Sequence, residues 1–263
     1  MEYNFSKERF YKIKKHWDNQ NTYSMRDFFV KDIEISKITS LIDSLKQKFD
    51  YILEIGCGDG EGTSKYSNFS KNFIAIDYSM TMLKKAKANV SNKNVFFIQA
   101  DVRYLPFKKD FQVDLIISER CLINLPSKEE QYTTIDKLLN LNKTYFILAE
   151  GSKQGLDNIN KLRKLFQLDD IKMPWHNIFF DEDELLDFLK NKVNIIKKGS
   201  FWFYYLSSRV LHPAYVQPDN PTYESKFNEY PYKIYKELEA SFFEQIEEPY
   251  SIGQIFYMLI EKK

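Results

Sequence analysis

Tyr51-Ile52-Leu53-Glu54-Ile55-Gly56-Cys57-Gly58-Asp59-Gly60-Glu61-Gly62 decides the fold. Five residues that read as a strand empty into alternating glycines, and four of the chain's eight glycines stand at positions 56, 58, 60 and 62. With no Cβ in the way, backbone N–H groups there can approach a ligand closely, and a helix opening behind the loop adds its positive end. The spacing is not the G-x-G-x-x-G of dinucleotide folds, because an acid, Glu54, precedes the loop, and no lysine occupies the P-loop position. The arrangement suits a nucleoside-containing ligand.

Three more strand-and-acid pairs follow. After a helix over Thr63–Phe69, Phe73–Ile76 reads as a strand ending in Asp77-Tyr78-Ser79. Val95–Ala100 ends in Asp101-Val102, and Val113–Ile117 ends in Ser118-Glu119-Arg120. An open parallel sheet binds ligands outside the carboxyl ends of its strands, so these polar residues converge on one crevice. An acid at the tip of the second strand can accept both ribose hydroxyls as a bidentate pair. Residues 145–149 read as a fifth strand, 193–206 hold a sixth and 253–260 the last; Ile33, Ile38, Leu41 and Ile42 mark the buried face of a helix ahead of the first.

The run YILEIGCGDGEG resembles the first motif of the class I S-adenosylmethionine (SAM)-dependent methyltransferases. The resemblance implies an α/β fold with a seven-stranded, mostly parallel, doubly wound sheet whose last strand is antiparallel. It implies SAM as cofactor, S-adenosylhomocysteine (SAH) as product, and methyl transfer as the activity. Carried over residue by residue, Glu54, Gly56, Cys57, Gly58 and Gly60 would hold the methionine part. Asp77 would hold the ribose with Tyr78 and Met82 nearby, and Asp101 with Val102 the adenine, while Ser118 closes the set. Ser118-Glu119-Arg120-Cys121 replaces the N/D-P-P-aromatic motif of nucleic-acid amino-methyltransferases, which argues against a base amine as acceptor. The stretches SERCLINLPS, AEGSKQGLDNINKLR, MPWHN and SSRVLHPAYVQPDNPTY are similar to a bacterial group of small-molecule methyltransferases associated with surface-polysaccharide biosynthesis. That similarity implies a sugar or small polar glycan precursor as acceptor.

Composition sets limits. Lys plus Arg number 38 against 37 Asp plus Glu, a formal charge of +1, which provides no global field for holding nucleic acid. A chain of 263 residues makes one large domain, or a domain with a cap. The expected organisation is a helical lid over 1–48 and a methyltransferase domain over 49–263, with cap insertions at about 150–183 and 207–250. Cys57 and Cys121 suit a reducing compartment without a disulfide, and His16, His176 and His212 lack metal-ligand spacing. With neither a signal peptide nor an apolar span in sight, the expected location is cytoplasmic. Arg9, Lys12, Lys14 and Lys15 read as the solvated face of a short helix.

The two cap insertions are expected to hold specificity. The first carries Asn160, Arg163, Trp175, His176 and Asn177; the second Arg209, His212-Pro213, Tyr215, Pro218, Pro221, Tyr223, Asn228 and Tyr230. Guanidinium groups suit carboxylates and phosphates, so Arg120, Arg163 and Arg209, with Asn177, Tyr23 and Arg26, are expected to bind an anionic small acceptor. His176 is the expected general base, Glu119 its rival, and His212 a turn-shaping residue. Two other readings stay open: an RNA or protein methyltransferase, and a SAM-binding module without catalysis.

Overall fold

The computed structural model describes residues 2–19, 25–216, 223, 225–238 and 251–263; Tyr23, Pro218 and Pro221 lie outside the described residues. Seven strands form one sheet: β1 (Phe49–Ile55), β2 (Ser70–Asp77), β3 (Val95–Gln99), β4 (Val113–Glu119), β5 (Asn142–Gly151), β6 (Val193–Ser200) and β7 (Ile255–Lys262). Their order is β3-β2-β1-β4-β5-β7-β6. Strands β1 to β5 are parallel, and β7 runs antiparallel to both β5 and β6, as the resemblance implies. The chain winds outward from β1 to β3 and then crosses back to β4, so the order reverses between β1 and β4. A crevice opens at the carboxyl ends of strands at such a reversal.

Alternation along the strands divides the core in two. Ile52, Phe73, Ala75, Leu115, Ile117 and Ile147 face one side; Leu53, Ile55, Ile74, Ile76, Ile116 and Phe146 face the other. Successive side chains of a strand point to opposite faces, and interior strands covered on both faces read as unbroken apolar runs. On the first face lie α2 (Phe28–Ser44), α3 (Glu61–Tyr66), α4 (Met80–Asn89) and α6 (Lys153–Leu165). The second face is covered by α5 (Lys128–Leu141) and α7 (Glu182–Leu189). Then come α8 (Trp202–Leu206), a π-helical turn over Ser207–Leu211, α9 (His212–Val216) and α10 (Lys226–Leu238).

The segment expected as one lid splits into two parts with different roles. Helix α2 belongs to the core: Ile33, Ile38 and Ile42 are fully buried, and Asp27 caps it by accepting the Val30 N–H at 3.2 Å. Helix α1 (Glu2–Trp17) buries only Ile13 among its described side chains and lies over the tips of β2 and β4 through contacts to Tyr78, Ser79 and Asn124. Among the described residues, no helix is long and apolar enough to cross a membrane.

Candidate active site

The glycine loop is shaped by close approaches. Gly56 has φ +68°, and a Cβ built on it would meet the Cβ and Sγ of Cys121 at 2.7 Å. Gly60, at φ +81°, caps α3 where a Cβ would lie 2.9 Å from Ala86. Both positions need a residue that tolerates the left-handed region and presents no side chain. The Cys57 N–H donates to the Ile76 carbonyl at 2.9 Å, tying the loop to β2. The Gly58 N–H donates to Asp77 Oδ2 at 3.0 Å, while Asp77 Oδ1 accepts the Ser79 N–H at 2.8 Å. Burial pushes the Asp77 carboxyl up to about 6 against the pull of these two N–H groups, so it is ionised at neutral pH.

Gly56, Gly58, Asp77, Tyr78 and Met82 line one wall of a cleft of about 130 Å³. Trp17, Arg120, Ile123, His176 and Asn177 line this cleft and also a larger chamber of about 730 Å³. The two cavities therefore share a neck built from α1, the loop after β4 and the 176–177 loop.

Several expected residues lie elsewhere. Glu54 is buried, accepts a hydrogen bond from Thr63 Oγ1 at 2.5 Å, and reaches only a recess of about 40 Å³ behind the loop; burial raises its pKa well above the usual carboxylate value. Cys57 lines the same recess, and Gly60 shapes the loop without lining the cleft. Asp101 turns to Arg103, which grips it through Nε at 3.0 Å and Nη2 at 2.6 Å and also reaches Glu130 at 2.6 Å. Val102 sits in the second core layer. Ser118 is fully buried and donates to Glu150 instead of facing the cleft.

Glu150, at the end of β5, escaped the sequence reading. Its carboxylate accepts the Ser118 hydroxyl and the N–H groups of Cys121, Leu122 and Ile123 at 3.2, 3.0 and 3.2 Å. It thereby folds the loop that forms the neck. Burial pushes it up to about 7, opposed by those donors. The available signal was an acid closing the apolar run Phe146–Ala149.

Glu119 accepts the Tyr66 hydroxyl at 2.8 Å and lines the cleft but not the chamber. Arg120, held at φ +51°, places Nε 2.9 Å from Glu34 Oε2, a carboxylate with no exposed surface whose pKa burial raises. His176 borders both cavities; burial first, then the neighbouring His16 and Arg9, push its pKa down to about 4. Asn177 donates through Nδ2 to Asn124 Oδ1 at 3.2 Å.

The chamber wall is cationic. Arg209 donates to the buried Asp27 carboxylate, which also accepts the Tyr204 hydroxyl at 3.1 Å. The π-helical turn leaves the Arg209 carbonyl to Arg163, whose Nη1 donates to it while Nε donates to the Asp169 carbonyl at 2.6 Å. Arg163 is only 6 % exposed, and burial lowers its pKa. Among the described residues no carboxylate lies within 4.0 Å of Arg163, Arg26 or Lys172, all of which line the chamber. His212 stacks on Phe227 at 4.9 Å, away from both cavities.

Residues 52–143 match the family model described as "Methyltransferase domain". The Ubiquinone/menaquinone biosynthesis C-methyltransferase UbiE of Wigglesworthia glossinidia brevipalpis is 31% identical over 122 residues, 44% of this chain and 48% of that protein. The Malonyl-[acyl-carrier protein] O-methyltransferase of Bacillus anthracis is 37% identical over 86 residues, 30% of this chain and 31% of that protein. The chain thus spans about half the length of the first and about a third of the second. The crystal structure of N-methyltransferase NodS from Bradyrhizobium japonicum WM9 with SAH superposes with a TM-score of 0.58 at 12% identity, over 97% of this chain and 98% of that one. At that identity the likeness concerns the fold. Residues 52–143 are thus similar to a methyltransferase domain, and the chain as a whole has the fold of a methyltransferase solved with SAH. The cleft's lining fits SAM: two glycines that leave the backbone open to close approach, an ionised carboxylate at the tip of β2, and the apolar Met82 and Ile123.

Proposed function

We propose that the protein moves the methyl group of SAM to an oxygen, or less readily a nitrogen, of a small anionic metabolite bound in the larger chamber. The observation that carries this reading is Arg163, a guanidinium 6 % exposed in the chamber wall and bonded only to carbonyl oxygens among the described residues. Asp169 and Asp170 favour its charge from a distance, but a buried cation with no carboxylate within 4.0 Å among the described residues is costly, and a carboxylate or phosphate entering beside it would supply that contact. Arg26 and Lys172 add to the same field. Phosphorylated or nucleotide-linked sugars, including surface-glycan precursors, fall within this class. The matched relatives are named as C-, O- and N-methyltransferases, so the acceptor atom is left to the chamber.

In this reading Asp77 takes the ribose hydroxyls, the glycine loop with Glu54 behind it takes the methionine part, and Tyr78 and Met82 line the nucleoside. Asp101 keeps lone pairs beyond its Arg103 bonds for the adenine amino group. SAM supplies an electrophilic methyl carbon. The chain's task is to align the acceptor, exclude water and receive a proton, and alignment alone can account for much of the acceleration. Trp17, Ile123 and Asn177 form the neck through which the acceptor must reach the methyl group. With a pKa of about 4, His176 is neutral at physiological pH and can accept a hydrogen bond from an acceptor hydroxyl. Glu119 accepts the Tyr66 hydroxyl and lies 3.8 Å from the Arg120 guanidinium.

The test is transfer of labelled methyl from SAM into matched anionic and neutral small acceptors. Arg163→Ala should raise the acceptor KM at least tenfold and leave the SAH Kd within twofold. Equal rates on anionic and neutral members of each pair, or an unchanged KM in the variant, would overturn the anionic reading.

A further inference from the structure

Helix α1 is tied to both cavities and, among its described side chains, buries Ile13 alone. On the cofactor side, Ile13 offers its carbonyl to the Tyr78 hydroxyl at 3.2 Å, Trp17 and Asp18 accept from Ser79, and the Phe10 ring lies 4.1 Å from the Arg103 guanidinium. On the chamber side, Arg9 donates to the Asn177 carbonyl at 3.2 Å, Trp17 Nε1 donates to Asn124 Oδ1 at 3.2 Å, and the His16 ring stacks on His176 with centroids 4.6 Å apart and planes 25° apart. Asn124 Oδ1 receives the Asn177 amide as well, so Trp17 and Asn177 meet on one acceptor.

We propose that His16 and Trp17 are positioning residues of the acceptor site, supplied by α1, and that through them occupancy of the cofactor cleft orders the loop carrying His176 and Asn177. The proposal rests on reading the chamber as the acceptor site. A helix whose described residues bury one apolar side chain opens at low free-energy cost, so small changes at its contacts shift its docking. A ligand against Tyr78 and Asp77 completes the surface on which α1 sits. Docked α1 then presents the His16 ring, stacked on His176, and the Trp17 indole, edge-on to the same imidazole at 5.7 Å, while Arg9 holds the Asn177 carbonyl. By linkage, an acceptor held by that ordered loop strengthens cofactor binding by the same factor.

Amide hydrogen exchange with SAH as the probe tests this without a known acceptor. In the wild-type chain, saturating SAH should slow exchange in both 9–17 and 175–178. In His16→Ala, 9–17 should still be protected, whereas the SAH-induced protection of 175–178 should fall at least fivefold; His16→Phe, which keeps a stacking ring, should restore it. Protection of 175–178 that is indifferent to His16→Ala, or absent in the wild type while 9–17 responds, would overturn the proposal. An acceptor preference indifferent to charge would instead sink only the anionic reading, because the exchange experiment contains no acceptor.

Discussion

The carboxylate of Asp77 accepts the Gly58 N–H at 3.0 Å, so the tip of the second strand holds the glycine loop of the first. One side chain thus shapes the loop and presents charge to the cleft. Asp77→Ala should weaken SAH binding at least tenfold, the loss of a charge-assisted bidentate contact of about 1.5–3 kcal/mol. Binding should also depend on pH. With the carboxyl pushed up to about 6, affinity should be full at pH 7.5 and fall about tenfold for each pH unit below that value. Titration calorimetry with SAH at pH 7.5 and 5 checks both. An unchanged affinity in Asp77→Ala would place the ribose elsewhere.

Glu150 sets the neck without facing it. Glu150→Ala leaves the N–H groups of Cys121, Leu122 and Ile123 without their acceptor in a buried loop. Each such donor costs about 1–3 kcal/mol. We expect a loss of roughly 3 kcal/mol or more in urea unfolding, with a smaller loss for Glu150→Gln, which keeps one acceptor oxygen. Equal stability of Glu150→Ala and wild type would refute this role.

The imidazole of His176 should titrate near pH 4, well below the usual histidine range, because burial and the nearby His16 and Arg9 disfavour the cation. The folded form then binds fewer protons than the unfolded one between about pH 4 and 6.5. Stability from this group therefore rises with pH across that window and is level above it. Histidine ring resonances followed by NMR give the midpoint. A midpoint near 6.5 would mean that the ring is solvated in solution.

Much of the fold was legible because the informative residues are local. Alternating glycines after β1 and acids at the tips of β2, β3 and β4 each follow directly from a short apolar run, and strand ends at a sheet reversal converge by topology. The direction of a side chain was not legible. Asp101 and Ser118 stand at strand tips as expected, yet Arg103 claims the first and Glu150 the second, 32 residues away in sequence. Arg209 similarly depends on Asp27, and His16 meets His176 only after α1 crosses the sheet end. Such pairings belong to tertiary packing, which no periodicity encodes. The buried face of α2 was legible in Ile33, Ile38, Leu41 and Ile42, whereas its separation from α1 within residues 1–48 was not, because where α1 docks depends on contacts to Tyr78, Ser79 and Asn124 far along the chain.

The position of β7 bears on how the chain is made. Among the described strands β6 pairs with β7 alone, and β7 also completes β5, yet β7 follows both in the chain and is made after them. Until then β5 is an open edge and β6 has no neighbour, a state in which unpaired strands invite association between chains. The parallel half, with its glycine loop, can assemble earlier. Synthesis therefore delivers a nascent cofactor-binding half before the remainder of the sheet can close.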